Sequence, residues 1–406
     1  MEISKDTRDF IVCHMGADPL ALRLKFAGKN LKDVDLSFAL TQIEARKKAA
    51  AKLSWLDADP YFVFPDTLSA EQCTAAQVAD LHAEVASLTA PESVLDLTCG
   101  LGIDSMALAR VAKVVDACEI SKAHVEVLNH NIHYSGYSNL RVHNCSAEDF
   151  LQALPDEIRY SLIFADPARR DHSSRRTYAF EDCSPDILSL MPQISRHTNR
   201  LLIKASPMLD VAETVKQLPS LHHLYVISLR NECKELLCDC RFEDSESPLK
   251  FTAVNILPVG NSIFTFYAEE TEAVTPCVET WDDITPGQWL FEPNASVMKL
   301  ITMAPLHRCW PGLRKLAPNT HIYIGDGNPP ADLPGRVSLI ETIMPYSKKS
   351  KTLLPDDRLN VVCRNFPATP EEVKRTLKLK DGGNLFLYCV TLSQASARLI
   401  LTHRIQ

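Results

Sequence analysis

Val94-Leu-Asp-Leu-Thr-Cys-Gly-Leu-Gly-Ile-Asp104 reads as a strand that runs into a tight glycine turn and opens a helix over residues 105–110. Gly100 and Gly102 let a ligand approach the backbone closely at the end of that strand. Seventeen residues past Gly102, Glu119 ends the next strand in Asp116-Ala-Cys-Glu-Ile-Ser. A carboxylate there accepts hydrogen bonds from both hydroxyls of a ribose. The pair of features specifies a cofactor that carries a nucleoside. Gly100-Leu-Gly-Ile-Asp-Ser105 also fits the dinucleotide fingerprint, so the turn alone leaves the nucleoside open. The fourth strand, Ser161-Leu-Ile-Phe-Ala-Asp166-Pro167-Ala-Arg-Arg170, ends in an acid and a proline where the ligand crevice of a doubly wound sheet lies.

Working outward, short apolar strands are expected at 93–97, 114–119, 140–143, 161–165, 200–204, 224–229 and 251–257, with helices between most of them. That is a seven-stranded, Rossmann-like α/β sheet. Residues 1–64 read as an N-terminal helical region, and a further helix covers 75–87, with Thr74 or Ser69 as its cap. Residues 65–268 form the expected catalytic domain. Between 269 and 292 stand seven acids and no Lys or Arg, so 269–330 reads as an acidic linker plus a small ferredoxin-like α/β unit. Residues 331–406 form a last small α/β module, with strand, helix and strand at 359–364, 370–379 and 384–392.

The 406 residues carry a net charge of −8 and are 46% apolar, which excludes disorder, fibres and a nucleic-acid coat protein. The balance is uneven. Residues 331–406 hold 12 Lys and Arg against 7 Asp and Glu, net +5, and the rest is net −13. No run approaches the roughly 20 apolar residues of a membrane span, and the start lacks a secretion signal. Thirteen cysteines without CxxC spacing suit reduced thiols, so a cytoplasmic protein is expected.

The spacing of acid, small residue and Gly-x-Gly at Asp96, Thr98, Gly100 and Gly102, with Glu119 and Asp166-Pro167 in order, resembles the class I S-adenosylmethionine-dependent methyltransferases over roughly residues 65–260. Glu71-Gln-Cys-Thr, Asp166-Pro-Ala-Arg-Arg, Lys204-Ala-Ser-Pro-Met-Leu-Asp210 and Asn231-Glu-Cys-Lys-Glu-Leu-Leu sharpen the likeness. Together they resemble a Bacteroidetes-type methyltransferase family with a C-terminal THUMP-like domain, similar to RNA methyltransferases. The resemblance implies S-adenosylmethionine as cofactor but does not supply the substrate; the expected partner is RNA, rRNA or tRNA, and neither a metal nor a membrane is expected. It implies that Asp96, Thr98, Gly100, Gly102, Asp104 and Glu119 hold the cofactor, although Asp104 also reads as a helix cap. Ser146 stands near where many relatives place an acid that reads the adenine amino group.

In relatives that methylate exocyclic amines the fourth-strand motif is acid-Pro-Pro-aromatic, the acid and a proline carbonyl accepting the amine's hydrogens. Here Asp166 and Pro167 match as the catalytic pair, while Ala168 and Arg169 replace the rest. Arg169, Arg170, Arg175 and Arg176 make a basic loop able to grip phosphates. Lys204, Asn231 and Lys234 are the further substrate-side candidates, because they stand at the ends of strands five and six. Cys233, Cys238 and Cys240 lack a fourth partner for zinc. His124, His130 and His133 read as a solvated helix face. The expected activity is methyl transfer to a base nitrogen in structured RNA. The alternatives are a protein methyltransferase, an NAD-dependent oxidoreductase and a noncatalytic RNA-binding protein.

Overall fold

In the computed structural model, residues 3–29, 31–169, 180–243, 247–270, 275–392 and 397–405 are described. The apolar runs form β1 (Ser93–Asp96), β2 (Val114–Cys118), β3 (Leu140–His143) and β4 (Leu162–Ala165). Two short strands follow, β5 (Ala168–Arg169) and β6 (Cys183–Ser184), which pair antiparallel with each other. Then come β7 (Arg200–Ala205), β8 (Leu221–Leu229), β9 (Glu232–Arg241), β10 (Lys250–Ile256) and β11 (Ser262–Tyr267). The sheet has the order β11-β10-β8-β9-β7-β4-β1-β2-β3. From β3 to β7 every pairing is parallel, and β9 runs antiparallel to β7. All four residues of β4 are buried, as expected of a parallel strand covered on both faces.

The seven expected strands are present, and β9 and β11 add two more. β9 returns from β8 through Arg230 and Asn231, both at positive φ (51° and 64°), the conformation of a two-residue hairpin turn. Its charged residues, Glu232, Lys234, Glu235, Asp239 and Arg241, interrupt the apolar pattern that marks the other strands. Glu235 and Asp239 are nonetheless buried, because cations from other elements meet them.

The chain divides into two units, residues 1–224 with 235–247 and residues 225–234 with 248–406. In the first, helices Lys5–His14, Pro19–Phe26 and Leu36–Ala49 pack around Ile11, Leu22, Ala39, Leu40 and Ile43. Side chains then fix the extended segment that follows. Gln42 bonds the backbone of Phe64 in both directions at 2.8 Å, and Asn131 does the same to Val63 at 2.9 Å. His130 corrects the solvated-face reading: it is buried, with Nε2 3.1 Å from the Tyr61 carbonyl.

The second unit contains β12 (Trp289–Pro293), β13 (Arg314–Ala317), β14 (Thr320–Gly325), β15 (Gly335–Pro345), β16 (Asn360–Arg364), β17 (Leu385–Val390) and β18 (Arg398–Arg404). Their order is β13-β14-β12-β15-β18-β17-β16. The helix Pro370–Leu377 between parallel β16 and β17 is the expected strand, helix and strand. The boundary expected near residue 330 does not separate two sheets, since β12 pairs with β15 from Trp289↔Leu339 to Pro293↔Gly335. Among the described residues no helix is long and apolar enough to cross a membrane, and no group of three His, Cys, Asp or Glu is placed to hold a metal ion.

Candidate functional site

The turn after β1 is built as the sequence suggests, with a different task for each glycine. Gly100 has φ +53° and open space where a side chain would stand, which leaves its backbone accessible to a ligand. Gly102, at φ +81°, caps the helix Ile103–Ala109, and a Cβ there would lie 2.3 Å from Leu128 Cδ1. It serves packing as well as turning. Asp96 accepts from the Thr98 amide at 3.0 Å and from the Ser105 hydroxyl. Burial pushes its carboxyl up to about 7, with those hydrogen bonds opposing. Thr98 Oγ1 accepts from the Asp166 amide at 2.6 Å, tying the ends of β1 and β4 together. Glu119, just past β2, accepts from the Ser121 amide at 2.7 Å. The turn, Asp96 and Glu119 thus frame open backbone at the ends of adjacent strands, a donor and acceptor set that fits a nucleoside-bearing cofactor.

Two residues of the expected cofactor set have other engagements. The helix cap is Gly102, so the cap reading of Asp104 is corrected; Asp104 turns both oxygens onto protein groups. Ser146 caps the helix Ala147–Ala153, accepting from the Asp149 amide at 3.0 Å.

Below the Asp166-Pro167 end of β4 lies a charge cluster that sequence reasoning found only in part. Lys204 Nζ is 2.6 Å from Asp166 Oδ2, 2.8 Å from Thr74 Oγ1, 3.1 Å from Asp104 Oδ2 and 4.0 Å from Glu235 Oε2. Thr74 in turn donates to Asp104 at 2.6 Å, so its hydroxyl does not cap the helix Ala76–Ser87. His82 bridges Asp104, at 2.7 Å from Nδ1, and Glu235, from Nε2. Burial opposes the imidazolium, but the two carboxylates outweigh it and raise His82 to about 9. Burial likewise opposes the charges on Asp104 and Lys204. Lys204 and His82 nevertheless hold Asp104 well below the usual carboxylate range, and the acids hold Lys204 well above its ordinary value. His82, Glu235 and Thr74 were missed in the sequence. Glu235 belongs to the Asn231-Glu-Cys-Lys-Glu motif, and its strand position was the available signal.

The other candidates are dispersed. Asn231 and Lys234 belong to the second unit, where the Asn231 carboxamide accepts from Ala295 N at 2.7 Å and Lys234 pairs with Glu232 at 2.7 Å. Arg169 ends β5, opposite Cys183. Arg170, Arg175 and Arg176 lie outside the described residues. Cys238 and Cys240 are buried in β9, and burial pushes their thiols up, Cys240 to about 12.

Comparison with known proteins follows these divisions. Residues 69–166 match the family described as tRNA (Uracil-5-)-methyltransferase, and residues 335–404 match the THUMP domain-like family. The tRNA/tmRNA (uracil-C(5))-methyltransferase of Proteus mirabilis (strain HI4320) is 30% identical over 145 residues, 32% of this chain and 40% of that protein. The enzyme of the same name from Actinobacillus pleuropneumoniae serotype 3 (strain JL03) is 30% identical over 152 residues, 32% of this chain and 39% of that protein. The chain thus spans about 40% of the length of the curated relatives it matches. A solved structure described as a candidate methyltransferase from Porphyromonas gingivalis W83 covers 100% of both chains at 26% identity, with a TM-score of 0.84. The order of the sheet, the glycine turn and these two matched segments agree: the chain is similar to a methyltransferase family over residues 69–166 and to a THUMP-like one over residues 335–404, and it shares its fold with the Porphyromonas gingivalis protein over its whole length.

Proposed function

We propose that the protein transfers a methyl group from S-adenosylmethionine to a base nitrogen in structured RNA, rRNA or tRNA. Asp96, Thr98, Gly100, Gly102 and Glu119 hold the cofactor, which supplies an electrophilic methyl carbon on a sulfonium. The observation that carries the acceptor side is Asp166: one carboxylate oxygen is bonded to Lys204, and the side chain is 44% exposed beside the cofactor turn. Among the described residues its other oxygen meets no hydrogen-bond donor, and it is the one that would take a hydrogen bond from an amine. Such a displacement needs alignment and exclusion of water more than covalent help.

The curated relatives are named for a uracil carbon, and the chemistry differs there. A base nitrogen attacks with its own lone pair, whereas C5 of uracil becomes nucleophilic only after another nucleophile has added to the ring. Cys73, Cys99, Cys118 and Cys145 are all pushed up by burial, which keeps them as thiols at neutral pH. Residues 170–179 contain no cysteine. Cys183, opposite Arg169 in the short strand pair, is the thiol on which a carbon-methylating reading would rest. The THUMP-like segment and the basic balance of residues 331–406 support RNA as partner.

The experiment is transfer of labelled methyl groups to RNA from cells lacking the protein, followed by nucleoside identification. An N-methylated nucleoside whose formation survives Cys183→Ser is expected. 5-Methyluridine that disappears in that variant would establish carbon methylation instead, and label in protein alone would exclude the RNA reading.

A further inference from the structure

We propose that Lys204 is a positioning residue for methyl transfer, gripping one carboxylate oxygen of Asp166 so that the other stays available to the acceptor, and that Thr74, His82, Asp104 and Glu235 exist to hold Lys204 in that position. The inference rests on the reading of Asp166 as the acid on the acceptor side.

Hydrogen-bond accounting carries the first step. An ammonium has three protons, and Lys204 has three acceptors within 3.1 Å: Thr74, Asp104 and Asp166. Thr74 can accept from Lys204 because it gives its own proton to Asp104. The lysine therefore has one orientation. A free lysine samples many rotamers and would leave Asp166 to do the same.

Charge carries the second step. Both ring nitrogens of His82 face carboxylates, so both donate and the ring is an imidazolium. Two cations then meet three carboxylates, and the cluster is left with one negative charge. Side-chain exposure locates it: 0% for His82, 7% for Lys204, 10% for Asp104, 11% for Glu235 and 44% for Asp166. Asp166 is the member that reaches solvent, and although burial pushes its carboxyl up, the Lys204 ammonium opposes that rise and favours the carboxylate. A fixed negative charge there favours the positive charge that develops on an attacking nitrogen, without reorganisation at the moment of reaction. In that step the nitrogen lone pair forms the bond to the methyl carbon, the carbon–sulfur pair leaves on sulfur, and the proton released from nitrogen passes to Asp166.

A purely structural cluster would have no reason to send its surplus charge outward. Arg200 lies four residues earlier on β7, and the acid it meets, Asp239, is matched by a second cation, Arg241, so no negative charge is left over there. The other ionisable groups that act on the cluster are Asp96, influenced by Asp104 and Asp166, and the Cys73 thiol, influenced by Asp104 and Lys204. The Phe164 ring covers His82 at 5.8 Å.

Lys204→Met and Lys204→Ala test the assignment. Cofactor affinity should stay within about twofold of wild type while kcat for RNA methylation falls about 100-fold or more, the scale of a misplaced reacting group. Ethylammonium should restore part of the rate to Lys204→Ala. A wild-type rate, or a rate drop matched by an equal drop in cofactor affinity, overturns the proposal. A second readout needs neither RNA nor cofactor. Ring NMR of His82 should show its titration midpoint raised in Lys204→Met, which removes a neighbouring cation, and lowered in Asp166→Asn, which removes an anion and covers the case where the lysine variant does not fold. An unmoved midpoint in Asp166→Asn overturns the network. If wild-type protein methylates no RNA while both midpoints move as stated, the functional reading fails and the charge network stands.

Discussion

Arg200 and Lys204 stand four residues apart on β7 and face carboxylates of the same neighbouring strand, yet the two sites are built in opposite ways. Arg200 is 1% exposed, and its guanidinium grips Asp239 through Nε at 3.1 Å and Nη2 at 2.8 Å. Its remaining protons go to the Val85 and Ala86 carbonyls and the Thr89 hydroxyl, at 2.8–2.9 Å. Arg241 adds a second cation, its Nε 3.2 Å from Asp239 Oδ1, so every donor of Arg200 is used and no negative charge is left over. The site's work is to fasten the end of the helix Ala76–Ser87 to β7 and β9. The Lys204 cluster is equally well bonded inside but carries one more acid than its cations neutralise, and that acid is open to solvent. Closed pairs hold a fold together, whereas an open one has charge left to act on a ligand.

The largest expected effect separates the two by what each substitution damages. Arg200→Ala leaves Asp239 with Arg241 as its one remaining cation and strips the Val85 and Ala86 carbonyls of their buried donor, which should cost about 3 kcal/mol of stability. Urea unfolding should show that drop, and methyl transfer by the fraction still folded should be unchanged. A variant of normal stability would mean that Arg241 alone holds Asp239 and that the Arg200 contacts do not fasten the helix.

pH gives the next contrast, through the imidazolium that belongs to the cluster alone. His82 is raised from 6.5 to about 9 in the fold, so the stability it contributes is complete below pH 6.5 and lost as pH rises through about 9. Two and a half pKa units correspond to a few kcal/mol as an upper bound. Asp96, raised to about 7, changes its contribution below that window. Unfolding free energy measured at pH 7, 8 and 9 should fall steadily in wild type and much less in His82→Gln. Equal slopes would place the pH dependence elsewhere.

Glu119→Ala concerns the half of the site where no such cluster exists. Removing a carboxylate that accepts from ribose hydroxyls should weaken S-adenosylmethionine binding by roughly 1.5–3 kcal/mol, with stability close to wild type. Calorimetry reads the first and thermal unfolding the second. Unchanged affinity would remove Glu119 from the cofactor site.

These two halves were unequally legible in the sequence. The cofactor half is local: β1, its glycine turn and the acid after β2 lie within 27 residues, and both backbone geometry and residue type point the same way. The acceptor half joins Thr74, His82, Asp104, Asp166, Lys204 and Glu235 from six places along the chain, and only the fold brings them together. His82 sits in a helix where a polar residue reads as surface. Glu235 and Asp239 left β9 without a strand assignment, because an acid reads as exposed until its cation is known. Thr74 and Ser146 sent the opposite signal: each looked available for one role and took another, Thr74 leaving the cap for the cluster and Ser146 leaving the adenine for the cap. In the second unit the local β16, helix and β17 pattern was readable, and the pairing of β12 with β15 across some forty residues was not.

The smallest expected effects come from charges that are neither buried nor paired in a cluster. Lys348 and Lys349 are exposed on the short helix Lys348–Leu353, and Lys351 is half-buried there. Lys374 pairs with Asp381 at 2.7 Å, and Lys378 is the left-handed residue that ends the helix Pro370–Leu377. That leaves the 348–351 group as the stronger candidate for binding RNA phosphates. Cutting the chain at residue 331 would be a poor test, because β15 pairs with β12 and the cut would divide one sheet. Lys348/Lys349/Lys351→Ala leaves the sheet intact and should cost well under 1 kcal/mol of stability, since exposed lysines contribute little to it. If these lysines meet phosphates, removing each ammonium should flatten the dependence of log affinity on log salt by about one unit or less, while binding of S-adenosylmethionine and the His82 midpoint stay at wild-type values. Full-length and triple-variant proteins titrated with RNA at several salt concentrations decide it, and identical slopes would remove this helix from the RNA surface.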